Sequence, residues 1–445
     1  MTTMFLRTLF LLGLGLLGAS PASAQKTPGP TNVLVIIADD LGWNGVSYHN
    51  PKMTTPALAK FAQEGLRLER FYSYPVCSPA RSALLSGRLP RRFGVVDVVG
   101  PGQQGIPKGT PTLASTLQKA GYATSLIGKW HLGSNPGPLG YGFDRFYGFL
   151  SAEIDYHKHT DPRGRADWWR DEKPIEEAGY STTLLADEAV KQLKQRDPRK
   201  PFYLQVAFNA PHTPLAATPE LLAKHKEDGL YNAVVDGLDQ GIGRILATLD
   251  EHGLRQNTLV VFFSDNGAGR RFSSNAPLNS GKDTIYEGGI RTPAIVRWPG
   301  HVPAGALCQQ PVAVIDLFPT IFAALALPAP ASKLDGTSQW ASLANGQPAP
   351  RTPFFVASHD IACIDGDWKL IEFADGKRAL FDLAKDVGEE RDLAASKPEI
   401  MKTLGARLDE LKKDLPAAPE RRAGPGIGGP GGGKGPFGKG KGLPK

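Results

Sequence analysis

The chain has 445 residues, a formal net charge of +7, three cysteines, 41% hydrophobic and 21% charged residues. That length holds two or three domains, and that composition excludes wholesale disorder, collagen and a polytopic membrane protein. Three cysteines exclude a disulfide scaffold. The charge is not spread over the molecule. Residues 421–445 carry six cations and no acid, and residues 1–24 carry only Arg7, so residues 25–420 are formally neutral. A nucleic-acid partner is therefore not expected.

The elements follow in chain order. Arg7 precedes an apolar run from Leu9 to Leu17, and Ala22-Ser23-Ala24 supplies a small-residue cleavage pattern. Residues 1–24 are predicted to be a signal peptide, which places the mature chain outside the cytoplasm. No later stretch is long and apolar enough to predict a stable membrane span. Asn32 to Ala38 is a continuous apolar run, as in a strand buried on both faces of a parallel sheet. Thr55 to Glu64 has helical periodicity. Further buried strands are predicted at Ala123 to Ile127, Phe202 to Ala207, Thr258 to Ser264 and Ala294 to Val296. Helices are predicted between them at Thr112 to Ala120, Thr183 to Gln195, Asn232 to His252 and Ile315 to Ala326.

Strands alternating with helices give an α/β fold, a large mostly parallel sheet between helices. The pattern changes after Pro328. Short strands are predicted at Phe354 to Ala357, Ile361 to Ile364, Trp368 to Phe373 and Arg378 to Asp382, with a helix at Pro398 to Lys413. Asp365-Gly366-Asp367 and Asp375-Gly376 are hairpin signals. The expected organisation is a catalytic α/β domain over 25–329 and a smaller α+β domain with an antiparallel sheet over 330–415. A disordered Gly/Lys-rich tail over 416–445 completes it, as a weak tether to anionic polysaccharide or a plain solubilising appendage.

Three segments carry chemistry. Asp39-Asp40 and Asp265-Asn266 directly follow predicted strands, at the strand ends where α/β sheets bind ligands. Adjacent acids repel unless a cation offsets them, and oxygen ligands suit Ca²⁺ or Mg²⁺ rather than zinc. An Asp that caps the following turn fits the same residues. Cys77 leads Cys77-Ser78-Pro79-Ala80-Arg81; as a plain cysteine it is a nucleophile, half of a disulfide or a small buried hydrophobe. Cys308 and Cys363 could pair; free and buried is the default for them. In Gly121 to Gly133, Lys129 and His131 stand two apart, so an extended backbone would point both to one side, towards an anionic substrate or into a surface loop.

Taken in order, these segments resemble the type I sulfatases, the formylglycine-dependent members of the alkaline phosphatase superfamily. Cys77-Ser78-Pro79-Ala80-Arg81 is similar to their C-x-P-x-R modification signature, and Gly121 to His131 to their second signature. His212 in Ala210-Pro211-His212-Thr213-Pro214, Asp265-Asn266-Gly267 and Lys282, followed by Tyr286 to Arg291, continue the resemblance over roughly 31–415. Ser86 stands where many relatives have Thr. Gly142 to Phe149 with Asp155-Tyr156 most resembles the N-acetylgalactosamine-4-sulfatase-like, arylsulfatase-related branch.

The resemblance implies a mechanism. Cys77 is oxidised to Cα-formylglycine by a formylglycine-generating enzyme. The hydrated aldehyde attacks sulfur, and its second hydroxyl then expels sulfate. Asp39, Asp40, Asp265, Asn266 and the modified Cys77 hold Ca²⁺, with Mg²⁺ the lesser alternative. Arg81 orients the nucleophile, Lys129 and Lys282 bind sulfate oxygens, His131 is the base, and His212 with Lys282 the acid. The implied substrate is a sulfate monoester, a sulfated carbohydrate or an aryl sulfate. Two rivals remain at this stage, a phosphonate or phosphate ester hydrolase of the same superfamily and a non-catalytic sulfated-glycan-binding protein. Trp168-Trp169 could stack on a sugar or pack internally, His157 and His159 fall where related glycan sulfatases place substrate contacts, and Arg88, Arg91 and Arg92 read as a solvated cluster.

Overall fold

A computed structural model describes residues 31–100, 102–269, 273–328, 332–346 and 351–419. The predicted signal peptide and nearly all of the predicted tail lie outside the described residues.

The first half builds β1 (Asn32–Ala38), α1 (Pro56–Glu64), β2 (Leu66–Leu68), β3 (Phe71–Tyr72), α2 (Cys77–Ser86), α3 (Leu113–Lys119), β4 (Ala123–Lys129) and β5 (Arg145–Phe149). Next come β6 (Trp169–Arg170), β7 (Lys173–Pro174), α4 (Ser181–Gln195), β8 (Phe202–Ala207), α5 (Pro219–Lys224), α6 (Leu230–Glu251) and β9 (Thr258–Ser264). Then follow α7 (Glu287–Ile290), β10 (Ala294–Arg297), β11 (Ala306–Cys308), β12 (Val312–Ala313), α8 (Leu317–Ala324) and α9 (Trp340–Asn345). The last elements are β13 (Phe354–Ala357), β14 (Ile361–Asp365), β15 (Trp368–Glu372), β16 (Arg378–Asp382) and α10 (Pro398–Lys413).

A sheet of ten strands runs in the order β11-β2-β10-β9-β1-β8-β4-β5-β6-β7. Its centre, β9-β1-β8-β4-β5, is parallel throughout. This is the α/β fold expected. The pairs outside this centre include the antiparallel β10-β9, β10-β2, β5-β6 and β6-β7, directions that an apolar run does not encode. Side chains alternate faces along β1. Val33, Val35 and Ile37 join the core on the side of α2 and α3, whereas Leu34, Ile36 and Ala38 join the core on the side of α1, α4 and α6.

The second sheet, β13-β14-β15-β16, is antiparallel. Its apolar face, including Val356, Leu370 and Leu380, belongs to the same core as α2 and α8. Cys77, Cys308 and Cys363 are all free and buried. Among the described residues, no helix is long and apolar enough to cross a membrane.

Candidate active site

Chain direction gathers the site. Asp39 and Asp40 follow β1, Asp265 and Asn266 follow β9, His212 follows β8, and Lys129 ends β4. These four strands are neighbours and parallel, so their carboxyl ends share one edge of the sheet. Asp40 (φ 67°) and His131 (φ 55°) adopt the left-handed backbone region, which residues with a Cβ rarely occupy. Such strain clusters at functional sites. It also corrects one expectation. Lys129 and His131 do not lie on one extended run, because the backbone turns at His131.

Cys77 opens α2, and its Sγ lies 3.4 Å from Asp39 Oδ1. Arg81, one turn on, lies on the same helix face. Its Nη2 donates to Asp265 Oδ2 at 2.7 Å and its Nη1 to the Lys129 carbonyl at 3.1 Å. Lys129 Nζ donates to Asp39 Oδ2 at 2.5 Å. Asn266 Nδ2 donates to Asp40 Oδ1 at 2.6 Å, and Lys282 Nζ donates to Asp40 Oδ2 at 2.8 Å. Lys282 Nζ also lies 3.0 Å from His212 Nε2. The Thr213 carbonyl, 2.5 Å from His212 Nδ1, can only accept, so Nδ1 carries a proton and Nε2 accepts from Lys282. Ligand atoms of Asp39, Asp40, Cys77 and His212 lie within 4.8 Å of one another.

Three buried or nearly buried carboxylates thus face three cations. Burial alone would raise Asp39, but Lys129, His212, Arg81 and Lys282 outweigh it and hold its carboxyl well below the usual range. Asp40 is lowered in the same way, chiefly by Lys282 and His212 against its burial. Asp265 goes the other way, pushed up to about 7 by burial and by Asp39. Burial, then Asp39, pushes the Cys77 thiol up. Burial, then Lys129 and Arg81, holds His131 well below the usual imidazole range. His212 is lowered by burial and Lys282.

All predicted site residues therefore converge, nine of them in one chain of contacts from Cys77 through Asp39, Lys129, Arg81 and Asp265 to Asn266, Asp40, Lys282 and His212. His131 joins through its carbonyl, which accepts from the Ser78 hydroxyl at 2.9 Å; both its ring nitrogens are buried without a partner among the described residues. Several other candidates are engaged elsewhere. Trp168 is buried against Tyr147 and Phe149, and His159 stacks on it at 4.4 Å, so both pack internally. Arg92 pairs with Asp335, and Arg91 donates to the carbonyls of Ser358 and Pro416, so they tie the segment after α2 to the C-terminal part of the fold. Sequence reasoning missed Glu153, whose Oε2 lies 3.6 Å from His212 Nδ1. It also missed Tyr156, whose hydroxyl donates to the His212 carbonyl at 2.9 Å.

A sequence profile described as sulfatase matches residues 31–327. The chain belongs to the sulfatase family. A profile for the C-terminal part of N-sulphoglucosamine sulphohydrolase matches residues 280–414. Human N-acetylgalactosamine-6-sulfatase is 36% identical over 367 residues, spanning 75% of this chain and 69% of that relative. Human arylsulfatase A is 30% identical over 470 residues, spanning 89% and 90%. Among solved structures, Ps i-CgsB in complex with k-i-k-neocarrahexaose superposes with a TM-score of 0.83 at 29% identity, covering 87% of this chain and 94% of that one. The sulfatase is accordingly an enzyme of the sulfuric ester hydrolase class, on the alkaline-phosphatase-like fold expected.

Proposed function

We propose that this sulfatase is exported and hydrolyses sulfate monoesters on a sulfated carbohydrate, with Cys77 converted to formylglycine beside a Ca²⁺ site. The carrying observation is the buried contact chain around Cys77 at the carboxyl ends of four parallel strands. The sugar class is supported by relatives named N-acetylgalactosamine-6-sulfatase and by a neighbour in complex with k-i-k-neocarrahexaose. Export rests on the reading of residues 1–24. Residues 25–329 form the catalytic part and residues 330–415 a smaller part packed on it.

The donor set fits a hard divalent cation. Asp39, Asp40, Asp265 and Asn266 offer oxygens, and Asn266 Oδ1 is buried without a hydrogen-bond partner among the described residues. These residues, with the modified residue 77, would hold the ion. When bound, Ca²⁺ draws charge from the sulfuryl oxygens and favours the ionised nucleophile. Maturation depends on a formylglycine-generating enzyme that reads Cys77 to Arg81.

The chain's own groups do the rest. Arg81 is fixed by Asp265 and the Lys129 carbonyl, so its charge holds residue 77 in place. Lys129 and Lys282 bind sulfate oxygens as point charges. His131 is buried, and burial with Lys129 and Arg81 beside it keeps its ring neutral, so a ring nitrogen is open to accept a proton near residue 77. The Lys282 ammonium, which donates to His212 Nε2, supplies the proton that His212 Nε2 hands on to the departing alcohol oxygen.

The test compares wild type and Cys77→Ala on an aryl sulfate, an aryl phosphate and an aryl phosphonate. The reading requires preference for the sulfate and loss of turnover in a variant that keeps its melting temperature. Faster phosphate or phosphonate turnover makes it an esterase of the sister class. Binding of sulfated saccharide without turnover makes it a binding protein.

A further inference from the structure

A second buried charge cluster lies behind the loop that carries Lys282. Glu287 begins α7, Lys369 lies on β15, and Glu389 follows β16. All three are buried, Lys369 and Glu287 with no exposure at all. Lys369 Nζ stands 2.9 Å from Glu287 Oε1 and 2.8 Å from Glu389 Oε1. Glu389 Oε2 accepts from the Glu287 amide at 2.6 Å. Glu287 Oε2 also accepts from the Tyr72 hydroxyl at 3.2 Å and from Arg291 at 3.4 Å. Buried ion clusters are seldom the most stable way to fill a core. The surroundings show what this one governs.

Between Glu287 and Lys282 there is no slack. The Gly288 amide donates to the Asn279 carbonyl at 2.7 Å, and the Gly267 amide to the Gly289 carbonyl at 2.9 Å. A Cβ on Gly288 would lie 2.3 Å from the Asn279 carbonyl oxygen, on Gly289 2.0 Å from that of Thr284, and on Gly267 1.8 Å from that of Gly288. Backbone therefore rests directly on backbone, and glycine is required there. The Asp283 amide donates to the Pro75 carbonyl at 2.9 Å, close before Cys77. A shift of Glu287 is transmitted to Lys282, and through Gly267 to the segment after Asn266. Lys282 must hold its ammonium between Asp40 and His212, at 2.8 and 3.0 Å.

We propose that Lys369 is a positioning residue that acts on Lys282 through Glu287. The four-stranded sheet thereby supports the rear of the active site. This rests on the role given to Lys282 above.

The experiment measures kcat and KM per folded molecule for Lys369→Met, Lys282→Met and the double variant. Substrates are 4-nitrophenyl sulfate and phenyl sulfate, whose leaving group is poorer. Misplacing a catalytic group by about 1 Å can cost about 100-fold. Lys369→Met is expected to lose about 10- to 100-fold in kcat on phenyl sulfate, with a smaller loss on 4-nitrophenyl sulfate. The double variant is expected to be no slower than Lys282→Met. Losses that multiply, or a kcat per folded molecule that stays at the wild-type value in Lys369→Met, overturn the positioning. Wild-type kcat in Lys282→Met instead overturns the role of Lys282, and the positioning with it. If Lys369→Met does not fold, Glu389→Gln and Glu389→Ala decide. Gln still offers an oxygen to the Glu287 amide, so it must retain more kcat than Ala; equal kcat in the two refutes the proposal.

Discussion

Replacing Lys129 with methionine keeps an unbranched side chain one atom shorter and deletes the charge. Lys129 has no exposure, and its ammonium lies 2.5 Å from Asp39 Oδ2. Removing one partner of a buried pair costs about 3–5 kcal/mol, because a buried charge is left behind. Arg81 remains 3.9 Å from the other Asp39 oxygen, so the lower end, about 3 kcal/mol, applies. A bound divalent cation would replace the lost charge beside Asp39 and shrink the loss to about 1 kcal/mol or less. Urea unfolding of both proteins, in EGTA and in Ca²⁺, measures the two values. Aryl sulfate turnover should fall by about 100-fold or more in the variant, as when a transition-state anion contact is removed. An equal stability loss in EGTA and in Ca²⁺, together with near-wild-type turnover, would refute both the cation site and the sulfate contact.

Glu389 is raised from 4.5 to about 7, by burial first, against the attraction of Lys369 and with repulsion from Glu287. An acid raised by folding contributes stability that is full below its unfolded pKa and lost as pH rises through the folded one. The melting temperature of Glu389→Gln relative to wild type should therefore rise from pH 4.5 to pH 7; a difference independent of pH contradicts this. Glu287 is lowered, so its own contribution changes only in more acid solution. Gly288→Ala forces backbone apart and should destabilise the protein by about 1–3 kcal/mol while lowering turnover; wild-type stability and rate would show that the loop has slack. Because Cys308 and Cys363 are free, a reductant should leave the melting temperature unchanged. A fall on reduction would reveal a disulfide.

Much of the fold was legible where burial is two-sided. The runs at β1, β8 and β9 were read with their observed limits, because a strand covered on both faces needs apolar residues throughout. The amphipathic α10 was read equally well. α2 was not read as a helix. Every residue from Cys77 to Ser86 is buried, so the segment has no polar face to give a period. β5 was hidden because Arg145 and Gly148 interrupt its apolar pattern.

The site was legible as a set of residue types following strands. Its geometry was not. Nothing in Asp40 or His131 signals a left-handed backbone, since neither is glycine. Lys369 and Glu287 meet although 82 residues separate them. No local pattern joins a strand lysine to a glutamate that opens a short helix, and only the folded chain brings them together.

The central claim concerns what residue 77 becomes. Mass spectrometry of the peptide containing Cys77, from protein produced together with a formylglycine-generating enzyme, tests it most directly. Conversion of the thiol to an aldehyde predicts a peptide lighter by about 18 Da than the encoded sequence, in proportion to aryl sulfate turnover. Full turnover from protein whose residue 77 carries only the unmodified thiol would contradict the account.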